Sequence, residues 1–127
     1  MEVIRAKKTL DSLEKEKVFG KLEGMYEIPK GCREEIEKFL GKYKHLFPIL
    51  EEAEEQIVSV FGENIKLCLE LHRDPEEGWN ELFIVIKSEY SAEEAFRLEN
   101  RLAEEWFLDR MKETKGKLNI IEEPLSL

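Results

Sequence analysis

Histidine and cysteine are almost missing from this sequence: His45, His72, Cys32 and Cys68 are the whole supply. Two cysteines cannot build a disulfide framework, so a reduced, cytosolic setting is the expectation. The four residues form no HxxH or CxxC pair, and no metal site is expected. Cys68 and His72 fall on one face of a strand, but their Cα atoms would lie roughly 13 Å apart, too far to share an ion. Glycine is scattered singly, 7 residues with no GxGxxG and no GxxxxGK[ST], so no phosphate cradle of that kind and no cofactor are expected. No hydrophobic run approaches membrane-spanning length, and MEVIRAKKTLDSLEK has no apolar signal core, which predicts a cytoplasmic protein. Positive charge is also in deficit. Lys and Arg number 20 against 29 Asp and Glu, and the net charge of −9 argues against wholesale binding to nucleic acid or an anionic membrane. Arg5, Lys7 and Lys8 form a basic cluster in the N-terminal segment and read as a solvated tail, with a nucleic-acid arm as the rival reading.

What is present is globular. Hydrophobic residues make up 42% of the 127, enough for one domain with a core of its own. Charged residues reach 39%, mostly Glu and Lys with Gln56 as the single glutamine, a balance reported for hyperthermophile proteins. The expected organisation is one α+β domain over 1–127, in two layers and the order ααββαβ. It comprises a poorly legible N-terminal segment (1–30), a helical pair (31–62) and a ββαβ unit (63–127).

The clearest stretch is the last of these. Ile65–His72 alternates, with Ile65, Leu67, Leu69 and Leu71 on one face, and Leu82, Ile84 and Ile86 repeat the pattern across LFIVIKSEY (82–90). Asp74-Pro75-Glu76-Glu77-Gly78 supplies turn chemistry between them. Ser91 with Glu94 three residues on is a capping box for a helix reaching about Lys112, ended by Gly116. Ala92, Ala95, Phe96, Leu98, Leu102, Ala103, Trp106 and Phe107 project onto one wide arc that should cover the sheet, with Glu99 and Arg110 inside that arc. A third strand follows at Lys117–Ile121.

Upstream, Ile36, Phe39, Leu40, Tyr43, Leu46 and Phe47 form one helical stripe. Leu50, Ala53, Ile57, Val60 and Phe61 form a second, with Pro48 as the break between them and Gly62 as the stop. Glu51, Glu52, Glu54 and Glu55 read as the solvated outer side of the second helix. Within 1–30, Thr9 is a candidate cap for a helix over roughly Leu10–Leu22.

The block SAEEAFRLENRLAEEWFLD (Ser91–Asp109) and the following Gly116-Lys117-Leu118-Asn119-Ile120 resemble the ending of a group of small prokaryotic α+β proteins of unassigned function. That ending is an acidic helix with E-E-aromatic-aromatic-L-D and then a G-K-L-N strand. The likeness spans about the last half of the chain; it implies the ββαβ layout and carries no activity.

Two function classes follow. A solvated sheet face would be polar throughout, yet the face opposite the core carries Cys68, Phe83, Val85 and Ile121 among Lys66, Glu70, His72, Lys87 and Glu89. A partly apolar second face needs a cover. The cover is either residues 1–28 of the same chain or another chain, and a homodimer is the favoured form. The leading expectation is therefore a non-enzymatic interaction or regulatory module acting through protein contacts. The alternative is a small enzyme gathering Glu99, Glu70, His72 and Cys68 near the sheet, with Glu99 the most unusual acid because it projects toward the core. Its expected relief is pairing with Arg101 or Lys66. Cys32, at a helix start, is a further thiol candidate, but His45 lies a helix length away from it. A minimal nucleotidyltransferase is excluded, because no serine follows Gly62 and no D-x-D lies on 82–90.

Overall fold

Alternation in the chain's middle becomes a sheet whose central strand is bonded on both edges. The computed structural model describes residues 17–73, 75–76 and 80–125. Strands β1 (Lys66–Arg73) and β2 (Asn80–Ser88) pair antiparallel, and β3 (Leu118–Pro124) pairs parallel to β2, giving the order β1-β2-β3. The register sets Leu67 opposite Ile86, Leu69 opposite Ile84 and Leu71 opposite Leu82. On the other side of β2, Leu82 meets Leu118 and Ile84 meets Ile120. Because side chains alternate between faces, these residues share one face. Leu69, Leu82, Ile84 and Ile86 have no solvent exposure at all.

The helices cover that face. Helix α1 (residues 17–25), α2 (Arg33–Lys42, preceded by the 3-10 turn Lys30–Cys32) and α3 (Leu46–Phe61) contribute Phe19, Leu22, Ile36, Leu40, Leu50 and Ile57 to one hydrophobic cluster with the sheet. After β2, helix α4 (Ala92–Leu102) passes through a π-helical turn (Ala103–Phe107) into α5 (Leu108–Thr114). The α+β order expected from the sequence holds, with α1 added in front. The basic cluster Arg5, Lys7 and Lys8, the Thr9 cap, and Asp74, Glu77 and Gly78 of the hairpin turn lie outside the described residues.

Three local expectations change. Pro48 does not divide the helical pair. The break falls at residues 43–45, and Pro48 is the third residue of α3, where backbone amides have no intrahelical acceptor and proline is tolerated. Leu46 and Phe47 therefore belong to α3. Phe96 does not cover the sheet: it is 66% exposed, and Ala92 is exposed too. The buried line is Ala95, Leu98 and Leu102, continued by Trp106 and Phe107. The π turn adds a residue between these two halves, so one uniform helical projection misplaces the arc. Glu52 is not on a solvated side, since it accepts hydrogen bonds from Trp106 Nε1 and from Arg110 Nε at 3.0 Å. The Trp106 indole, aided by Arg110 and against partial burial, holds its carboxyl below the ordinary range.

The capping box is half made. Ser91 Oγ accepts from the Glu94 amide at 3.2 Å, while the Glu94 carboxylate turns to Arg97 instead. At the end of α3 the backbone favours glycine: Gly62 has φ 86°, a conformation that side chains rarely adopt, and the Tyr90 hydroxyl passes at ordinary contact distance. That hydroxyl donates to the Phe61 carbonyl at 2.6 Å.

The segment after α1 closes the open edge of β1. The Glu27 amide donates to Leu67 O at 2.7 Å, and the Leu69 amide donates to Glu27 O at 3.0 Å. Just before it, the Tyr26 hydroxyl, buried in the core, donates to the Leu50 carbonyl at 2.6 Å. Burial drives the Tyr26 ionisation far above its ordinary value. Tyr26→Phe should therefore lower unfolding free energy by about 1 kcal/mol in urea denaturation, the usual worth of such a bond. No measurable loss would mean that α1 is not anchored there.

Candidate functional site

The strand register arranges the second sheet face as four rows. Lys66, Lys87 and Glu123 form the first, Cys68, Val85 and Ile121 the second, Glu70, Phe83 and Asn119 the third, and His72 with Glu81 the fourth. Neither Cys68 nor Val85 belongs to the main hydrophobic cluster, although Val85 has no exposure and Cys68 only 5%. Phe83 and Ile121 are half-buried. The His72 ring stacks on Phe83 with centroids 4.3 Å apart and pairs with Glu70 at 3.3 Å. The face thus has an apolar middle, one end with Lys66, Lys87 and Glu123, and another end with Glu70, Glu81 and His72.

Along the free side of this face runs a groove of about 620 Å³ between residues 23–29 and the sheet. Its polar wall includes Glu27, Lys66, Glu70 and Lys87. Glu27 is a participant that nothing in the linear pattern marks. Its carboxylate accepts from Cys68 Sγ at 3.4 Å. Burial first, and then Glu27, push the Cys68 thiol above its usual range, which keeps it protonated and a poor nucleophile.

The four residues of the enzyme alternative do not meet. Cys68, Glu70 and His72 share the second face, but Glu99 stands on α4 above the other one, beside Glu122 of β3. Cys32, half-buried before α2, and His45, whose Nε2 lies 3.5 Å from the Thr114 carbonyl oxygen, belong to opposite ends of that helix. Among the described residues no group of three or more His, Cys, Asp or Glu is placed to hold a metal ion.

Glu99 keeps its unusual position without the expected partners. Arg101 pairs with Glu105 at 2.9 Å, and Lys66 lies on the far face of the sheet. The neighbour of Glu99 is another acid, Glu122, which sits opposite Ile86 and accepts from the buried Ser88 hydroxyl at 2.5 Å. Burial, reinforced by the Glu122 charge, raises the Glu99 carboxyl above the usual carboxylate range. A folded-state pKa raised above the unfolded one means that the penalty is absent in acid. It grows as pH rises from the unfolded pKa through the folded one. Glu99→Gln should accordingly raise Tm at neutral pH and leave it unchanged below about pH 4. A loss of stability at neutral pH would show that the charged carboxylate has a favourable partner.

Comparison of the chain with protein-family models, with curated proteins and with solved structures finds no match.

Proposed function

We propose that this protein is a non-enzymatic, cytoplasmic interaction module acting through protein contacts, and that it pairs with a second copy of itself through the second sheet face. The observation that carries this is the layout of the rows. Phe83 and Ile121 remain partly open around the closed Cys68–Val85 pair, with Lys66 and Lys87 at one end and Glu70 and Glu81 at the other. A twofold axis through the apolar middle lays the lysine end of one copy over the acidic end of the other, so one patch serves both partners. Over its described part the rival cover, residues 1–28, meets this face only at the margin, where residues 23–28 wall the groove and Glu27 accepts from Cys68. Phe19, Leu22 and Tyr26 enter the core, and residue 27 bonds the edge of β1.

Size decides the strength. Three strands of about eight residues offer a face of roughly 14 Å by 26 Å. That is small beside the ~800 Å² per partner of a stable complex, so the association is expected to be weak and concentration-dependent, with Kd on the order of 10–100 μM. Charge matching makes it weaker in high salt.

Sedimentation velocity across a concentration series tests this directly. The parent should shift from monomer toward dimer, and Phe83→Glu should stay monomeric with an unchanged circular dichroism spectrum. A parent that is monomeric throughout, or a Phe83→Glu chain that unfolds, would mean that the chain covers this face itself.

A further inference from the structure

The composition is acidic, yet four cations gather with no carboxylate partner among the described residues. Lys38 and Lys42 from α2, Arg73 from the end of β1 and Lys117 from the approach to β3 line a groove of about 480 Å³. Among the described residues Glu35 is the single acid lining it, and Phe39, Tyr43, Leu71 and Asn80 line it too. The groove lies at the end of the helix-covered face of the sheet, away from the face proposed for pairing. Among the described residues, Arg33, Arg97, Arg101 and Arg110 each bind a carboxylate, and Arg73 is the one arginine that does not. Lys38, Lys42 and Lys117 likewise appear in none of the ion pairs of the described residues. Lys21 is the one lysine in those ion pairs, so what marks this groove is the gathering of three lysines beside the unpaired Arg73.

The aromatic ring fixes their geometry. Tyr43 packs on Phe39 with centroids 4.8 Å apart, and the ammonium groups of Lys42 and Lys117 lie 5.4 Å and 5.0 Å from its centroid. The Tyr43 hydroxyl registers the local field: partial burial favours the neutral phenol, but Lys117 and Lys42 outweigh it and lower the pKa. A simpler account, in which lysines complement the C-terminal dipole of α2, covers Lys42, the basic residue of its last turn. It leaves Arg73 and Lys117 unexplained, since both come from strand ends. Asn80 also lines the groove, but its Oδ1 is enclosed and closed to a water molecule, so a ligand in the groove does not meet that atom.

We propose that this groove binds a small phosphate monoester of about mononucleotide size, its phosphate held by Lys42, Lys117 and Arg73. A phosphate matches the excess of cations better than a single carboxylate does, and the Arg73 guanidinium presents a fork suited to its oxygens. The volume falls within the ~300–1,000 Å³ of small-molecule sites. A long nucleic acid is disfavoured, because beyond the ~8 Å screening length its further phosphates would meet the acidic remainder of the surface.

The test is an NMR titration of the full chain with AMP, glucose 6-phosphate, inorganic pyrophosphate and, as the uncharged control, adenosine. At least one phosphate ester should shift the amides of Tyr43, Arg73, Asn80 and Lys117 with Kd below about 1 mM in low salt, and adenosine should bind at least about tenfold more weakly than AMP. Lys42→Ala combined with Lys117→Ala should weaken ester binding at least about tenfold. Phe83→Glu should bind them as the parent does, which keeps this site separate from the pairing face. The proposal is overturned if no phosphate compound shifts these residues, or if the lysine double variant, folded by circular dichroism, binds as well as the parent. It is equally overturned if a phosphoserine peptide or a single-stranded oligonucleotide binds there and the esters do not.

Discussion

Everything in this fold depends on β2 being the middle strand with one face fully sealed. Leu82, Ile84 and Ile86 are cut off from solvent because each has apolar neighbours on both flanking strands or helices above them. A one-residue slip of either pairing would turn those three outward and bring Phe83, Val85 and Lys87 under the helices. The buried lysine alone makes that slip prohibitive. Register, once set this way, fixes what the opposite face displays. The apolar middle of the second face is thus a consequence of Phe83 and Val85 sharing a strand with Leu82, Ile84 and Ile86.

Strong local signals were legible in the sequence. Period-two alternation identified β1 and β2, and the Ser91 cap identified the start of α4, because each is a property of a few adjacent residues. Signals that need a partner were not. Glu122 reads as the polar tail of a strand, and only its place opposite Ile86 brings it to the covered face beside Glu99. Pro48 misled because proline is forbidden in a helix interior but admitted in the first turn, and spacing alone does not say which applies. Phe96 misled because the π turn at Ala103–Phe107 changes the helix phase partway along. The second face, by contrast, followed from alternation alone, and Cys68, Phe83, Val85 and Ile121 do share it. Glu27 and the groove around Tyr43 had no linear trace, since the groove's residues come from segments up to 82 positions apart, from Glu35 to Lys117.

Charge is distributed by the same logic. Most arginines are locked to glutamates on their own or a neighbouring helix, which leaves the bulk of the surface acidic and solvated. Against that background the lysines of the second face and the bases around Tyr43 are local exceptions, and local fields rather than net charge govern what can dock at each. The two exceptions sit on opposite faces of the sheet, so occupation of one need not obstruct the other.

The most direct measurement of the central claim is solvent accessibility on the two faces of β2 and β3, read by paramagnetic relaxation from a soluble relaxation agent as the protein is diluted. Ile84 methyls should be protected at every concentration, as core residues. Ile121 methyls and the Phe83 ring should be protected in concentrated solution and become exposed on dilution. Protection of Ile121 and Phe83 that persists unchanged at all dilutions would contradict the account, because the second face would then be covered from within the chain.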